Sequence, residues 1–86
     1  MYNHPMSKYF AYLARCSDGS LYAGYTNDIA GRELAHNEGK GARYTRPRRP
    51  VKIVYSEGFL NRSEAMRREA ALKKLTKVEK EALLCL

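Results

Sequence analysis

Eighty-six residues, 44% hydrophobic and 29% charged, make one small globular domain; they exclude a second domain and the apolar-poor composition of a disordered chain. A domain of this length buries only about 60 to 65% of the surface its unfolded chain exposes, which argues against a deep, enclosed substrate cavity. Sixteen Lys and Arg against nine Asp and Glu leave a charge of +7, so a polyanionic partner is expected, with DNA, RNA, a membrane surface and plain solubility still competing.

Residues 1–7 read as a disordered tail and residues 8–86 as a single folded domain. The first six residues lack the basic-then-apolar order of a secretory signal. No apolar run approaches the roughly 20 residues of a membrane span, so a cytoplasmic protein without a membrane partner is expected. Residues 9–16, with Tyr9, Phe10 and Tyr12, suit a strand. Ser17-Asp18-Gly19-Ser20 is turn chemistry, and Leu21 to Thr26 reads as the second strand of a hairpin. An odd-membered turn would put Tyr12 and Tyr22 on one face as diagonal neighbours, whereas a two-residue turn would separate them.

Asn27 or Asp28 is a suitable N-cap for a helix through Ile29, Arg32 and His36, stopped by residues 37–41. Arg32 and His36, four apart, share a face of it. Residues 40–52 carry Lys40, Arg43, Arg46, Arg48, Arg49 and Lys52, with Tyr44 and two prolines but no acid. That is a basic loop, read either as solubility or as a nucleic-acid contact. Residues 51–55 suit a third strand pairing with the hairpin. Asn61-Arg62-Ser63-Glu64 opens a helix expected over residues 63–75, and Thr76-Lys77-Val78-Glu79 is a capping-box pattern for a final helix docking through Val78, Ala82 and Leu83. The order β-β-α-β-α-α predicts an α+β domain, a small three-stranded antiparallel sheet flanked by helices.

Cys16 and Cys85 fall outside any CxxC or CxxH spacing and read as reduced apolar side chains. Zinc held by them with His4 and His36 would need four scattered ligands to converge. Glu69 calls for more explanation. Helical stepping puts it between Ala65 and Leu72, beside Met66, so a carboxylate lies within an apolar arc. Either an arginine pairs with it or it is a metal ligand, because a carboxylate oxygen suits Mg²⁺. Glu64 is better explained as a helix-start residue. Gly24 inside a strand signals a close backbone approach or a bulge.

Together these residues resemble the GIY-YIG nuclease superfamily. Phe10-Ala11-Tyr12 stands where the first triplet belongs and Tyr22-Ala23-Gly24 where the second does. Arg32 follows the glycine by eight residues, then come His36 and the Glu69 helix. The Arg-Cys-x-Asp-Gly-Ser-Leu-Tyr segment from Arg15, the Gly-Lys-Gly-Ala-x-Tyr-Thr segment from Gly39 and Ser63-Glu64-Ala65 look closest to small stand-alone bacterial members. Phe10 replaces the triplet's glycine, and Glu33 beside Arg32 introduces a charge that would partly neutralise it.

The resemblance implies phosphodiester hydrolysis with a single Mg²⁺ or Mn²⁺ on Glu69. It implies that Tyr22 accepts a proton from the attacking water, that Tyr12 hydrogen-bonds nearby, and that Arg32 binds phosphate oxygens. His36 would be a second phosphate contact or a proton-transfer partner. A tyrosine ordinarily titrates near pH 10 and is a base at neutral pH only where cations favour its ionised form. The nucleic acid, DNA rather than RNA, would be gripped by Lys40, Arg43, Arg46, Arg48 and Arg49 and chosen by shape, as a long polyanion across the sheet surface. Repair or recombination of DNA is the biology this implies. The competing readings are a non-catalytic nucleic-acid-binding module and a catalytic module that needs a protein partner for targeting.

Overall fold

The computed structural model describes residues 6–85, so most of the expected N-terminal tail and His4 lie outside the described residues. Strands β1 (Tyr9–Arg15), β2 (Leu21–Thr26) and β3 (Lys52–Phe59) form one antiparallel sheet in the order β2-β1-β3. Helices α1 (Ile29–Asn37), α2 (Arg62–Lys73) and α3 (Lys77–Leu83) cover it, and a short 3₁₀ turn (Arg46–Arg48) interrupts the basic loop. The α+β architecture matches the expectation.

The hairpin is centred on Asp18: Arg15 pairs with Leu21 and Ala14 with Tyr22. Asp18 accepts from the backbone N–H of Ser20 at 3.0 Å and from its hydroxyl at 2.6 Å. Gly19, at φ +86°, supplies the left-handed residue the turn needs. The turn is therefore odd-membered, and Tyr12 and Tyr22 share a face as diagonal neighbours.

Alternation along β1 builds two cores. Ala11 and Leu13 join Leu21, Ala23, Tyr55 and Leu72 on one face, closed by Leu75, Leu83 and Leu84. Tyr12, Ala14 and Cys16 join Val51 on the other, with Tyr22, Ile29 and Ile53 packed against them. Leu72 is fully buried, a contribution of about 1.5 to 3 kcal/mol. Both faces are thus packed over much of their area, and Tyr9, Tyr22 and Tyr25 are the half-buried tyrosines that the sheet leaves at an open cleft.

The caps follow the sequence closely. Asp28 accepts from the N–H of Gly31, Asn61 from that of Glu64, and Thr76 and Glu79 complete both bonds of the capping box. Several expectations need correction. Strand β3 runs on to Phe59, because Ser56, Glu57 and Gly58 pair with Tyr12, Ala11 and Phe10 despite weak strand propensity. Helix α2 ends at Lys73, and Leu75 turns into the core instead.

Helix α3 docks through Leu83 and Leu84, leaving Val78 and Ala82 exposed. Burial of Leu83 and Leu84 is accompanied by an ion-pair cluster on the same side of the helix. Arg15, at the end of β1, grips the Glu81 carboxylate in a fork, and Lys77 joins it at 2.8 Å. With the burial of the two leucines, this turns the Lys77, Glu81 and Leu84 stripe toward the hairpin and Val78 away from it. Glu33 behaves differently too: it accepts from the Ile53 N–H at 2.6 Å, next to the register shift in β3, and does not neutralise Arg32.

Candidate active site

A cleft of about 410 Å³ is lined by Tyr12, Tyr22, Arg32, His36 and Glu69 together, the five residues singled out for chemistry. They arrive from four elements. Tyr12 lies on β1, Tyr22 on β2, Arg32 and His36 on one face of α1, and Glu69 on α2. Helix α2 packs through Leu72 on the opposite sheet face from Tyr12, so the two layers meet at the edge strand β2.

Gly24 makes the meeting possible. A Cβ there would lie 2.5 Å from the Tyr12 ring and hydroxyl, so the absent side chain is the space the phenol occupies. Tyr12 is 2% exposed and its hydroxyl lies 2.8 Å from His36 Nε2. His36 is 1% exposed, and its Nδ1 lies 2.9 Å from the Thr45 hydroxyl. Thr45 gives its hydroxyl hydrogen to the Ala42 carbonyl at 2.9 Å, so Nδ1 must carry the imidazole proton. Nε2 is then the acceptor and Tyr12 the donor. Burial, and then the nearby Arg32, lower the His36 pKa, which keeps the ring neutral as this chain of bonds requires. Burial above all, with Tyr22 adding to it, raises the Tyr12 phenol pKa well above its ordinary value. Gly41 closes the pocket around the imidazole, since a Cβ there would lie 2.2 Å from Nδ1.

Tyr22 is half-buried, with its ring edge-on to His36 and stacked on Tyr44 at 5.9 Å between centroids. Arg32 is exposed within the cleft. The Glu69 side chain is 19% exposed, and the cation beside it is Lys73, one turn on at 3.7 Å, where an arginine was the alternative. Lys73 also stands 5.9 Å from the Tyr22 ring. Ala65 and Leu72 flank Glu69 on the buried stripe, but Met66 is 44% exposed and belongs to another face. Glu64 is tied to Asn61 at the helix start.

One loosely paired carboxylate among tyrosines, cations and a histidine whose nitrogens are both engaged suits a largely hydrated divalent ion. Mg²⁺ is commonly held by one or two carboxylates, with waters and substrate phosphate completing its shell.

The basic loop divides. Lys40 lines the cleft, and Arg43 and Arg46 are exposed. Arg48 pairs with Asp18 at 3.0 Å and lies 3.9 Å over the Tyr44 ring, while Arg49 donates to the Arg46 carbonyl. Arg48 thus braces the loop against the hairpin, and Arg49 ties it to itself and to the end of α1. Sequence reasoning missed Arg62, which lines the cleft and stands 5.8 Å over the Tyr9 ring, because it was read only as part of a helix start. It also missed Thr45. Its place in the Gly-Lys-Gly-Ala-x-Tyr-Thr segment was a signal, but the bond to His36 depends on how the loop returns.

This fold and cleft are those of a GIY-YIG catalytic domain: the family model matches residues 8–82, and the chain belongs to that family, whose members are in general endonucleases. Its relatives are small bacterial UPF0213 proteins. The one from Staphylococcus epidermidis is 49% identical over 75 residues, covering 87% of this chain and 92% of that protein. YazA of Bacillus subtilis is also 49% identical, over 87% of this chain and 76% of its own. The NMR structure of the Bacillus halodurans UPF0213 protein aligns with a TM-score of 0.57 and 43% identity, over 90% of this chain and 82% of that one. Nucleic acid is the substrate class the family implies, and its nucleases typically use a divalent metal. Among the described residues no helix is long and apolar enough to cross a membrane.

Proposed function

We propose that this chain is a metal-dependent nuclease that hydrolyses phosphodiester bonds of DNA, selects its substrate by shape rather than sequence, and serves repair or recombination in the cytoplasm. The convergence of Tyr12, Tyr22, Arg32, His36 and Glu69 on one cleft carries the reading. A binding module has no use for a carboxylate on a surface meant for phosphates. Both cysteines are free, in keeping with a reducing compartment.

Glu69 is the residue that would hold Mg²⁺ or Mn²⁺, and the ion when bound supplies Lewis acidity at the scissile phosphate and its leaving oxygen. Arg32 directs its planar fork of donors at the phosphate oxygens. Tyr22 faces the cleft and, as the phenolate, would take the proton of the attacking water and become the neutral phenol. Tyr12 does not compete for it: its hydroxyl proton is committed to His36, and burial disfavours its ionisation. His36, with both nitrogens engaged inside the protein, is a positioning residue that holds Tyr12 and packs edge-on against Tyr22. Lys40 and Arg62 line the same cleft and hold the flanking phosphates, with Arg43 and Arg46 extending the grip outward.

Labelled flap, nicked, duplex and single-stranded DNA with Mg²⁺ or Mn²⁺ tests this. Tyr22→Phe should lose about 10²- to 10⁴-fold in rate, the usual worth of a general base, and Glu69→Ala should be inactive. Metal-dependent cutting untouched by Glu69→Ala would refute the site. Binding without cutting by wild type on every substrate would leave a nucleic-acid-binding module.

A further inference from the structure

A second basic surface leads away from the cleft. Tyr22 forms one wall of the cleft and also of an adjoining hollow of about 290 Å³, lined by Leu21, Ala23, Tyr44, Lys73 and Lys80. That hollow runs into another of about 180 Å³, where Leu21, Tyr44 and Lys80 recur with Ser20 and Lys77. The result is a trench along the start of β2, beside the end of α2 and the first turn of α3. Neither hollow is lined by an acid.

We propose that this trench is a DNA subsite for a single strand that continues past the scissile phosphate, so that the preferred substrate carries an overhang or flap. The proposal rests on the nuclease reading and names its substrate class. Three observations carry it. The trench is continuous with the cleft through Tyr22, so a strand held at Arg32 and Glu69 has a path into it. Its sign is right: Lys73, Lys77 and Lys80 stand along it, and Arg48 lies over Tyr44 at its rim. Its lining is apolar and aromatic where it is not basic: Leu21 and Ala23 border it, and the stacked pair Tyr22 and Tyr44 stands at its edge. Sugars and unstacked bases suit such a lining, whereas the phosphate ridge of a duplex does not.

The lysines are not equivalent. Lys77 shares its charge with Glu81 at 2.8 Å, and Lys73 lies beside Glu69. Among the described residues the Lys80 ammonium bonds the Leu21 carbonyl, at 3.5 Å, and forms no ion pair. Lys73 is unsuitable for a test because it touches Glu69.

The experiment is binding of fluorescent DNA in metal-free buffer by wild type, Lys80→Gln and Lys77→Gln/Lys80→Gln. Single-stranded DNA, a duplex with an overhang, and a blunt duplex are compared across salt concentrations, with urea unfolding to confirm that the variants fold. On single strands Lys80→Gln should lower the salt slope by about 0.7, one phosphate contact, and the double variant should lower it further, by less than a second full contact because Lys77 is shared with Glu81. Overhang binding should weaken, and blunt duplex binding should hold. A 5-iodouracil placed in the overhang should crosslink to Tyr44. Unchanged single-strand affinity and slope, or equal losses on blunt duplex, would overturn the subsite. Because no cleavage is read, wild-type failure to cut would sink the nuclease reading alone, and cutting with lysine-independent binding would sink the trench alone.

Discussion

Removing the Tyr12 hydroxyl is the sharpest test of the buried network. In Tyr12→Phe the ring remains, so packing over Gly24 is preserved and the only loss is the donor to His36 Nε2. Tyr12 is 2% and His36 1% exposed, so water cannot replace it. An acceptor orphaned in such a place costs about 1 to 3 kcal/mol. Thr45→Val strikes the other end, removing the acceptor of Nδ1–H and the donor to Ala42 at once, and should cost at least as much. The double variant should fall short of the sum, because one imidazole serves both partners and can reorient once both are gone. Urea unfolding at pH 7.5 supplies the four free energies, and ¹⁵N chemical shifts of the His36 ring report which nitrogen carries hydrogen. A Tyr12→Phe cost below about 0.5 kcal/mol, or a proton found on Nε2, would refute the network as drawn.

The same histidine makes stability depend on pH. Its folded pKa is lowered, so the unfolded chain takes up the proton first as pH falls; stability is full above about pH 6.5 and then declines by up to about 1.4 kcal/mol per pH unit until folded His36 protonates. His36→Gln should abolish that slope, and a slope surviving the change would assign it elsewhere. Glu81, held at about 2 by Arg15 and then Lys77, contributes in full above pH 4.5 and less as pH falls toward 2. Acid titration of Glu81→Gln should therefore converge with wild type near pH 2, and a constant gap between the two would contradict the ion pair. Gly24→Ala drives a methyl into the buried Tyr12 ring and should cost about 1 to 3 kcal/mol, a fall of several degrees in Tm by thermal unfolding. An unchanged Tm would show that Tyr12 has room to move.

Features governed by neighbours in sequence were legible. Asp18 and Gly19 in the turn, the Asp28 and Asn61 caps and the Thr76 capping box depend on residues within three or four positions, and each formed as read. What depended on distant partners was not legible. The far half of β3 exists because β1 offers it hydrogen bonds, and Val78 is exposed because α3 turns Leu83 and Leu84 to the core while Glu81 meets Arg15, more than sixty residues earlier. The candidate site shows the same division. Residue types and spacing marked out Tyr12, Tyr22, Arg32, His36 and Glu69. Their meeting at the β2 edge required the strand order, and Arg48 gave no sign that it would turn back to Asp18.

The meeting of two layers at β2 also sets an order in time. A chain emerging N-terminus first brings out both tyrosines, Arg32 and His36 long before Glu69, whose helix needs the finished sheet to pack against. Until that helix docks, the part of the cleft built from β1, β2 and α1 stands without Glu69. On the proposed assignment, an intermediate in which that helix has not yet docked holds the two tyrosines, Arg32 and His36 without the carboxylate they need.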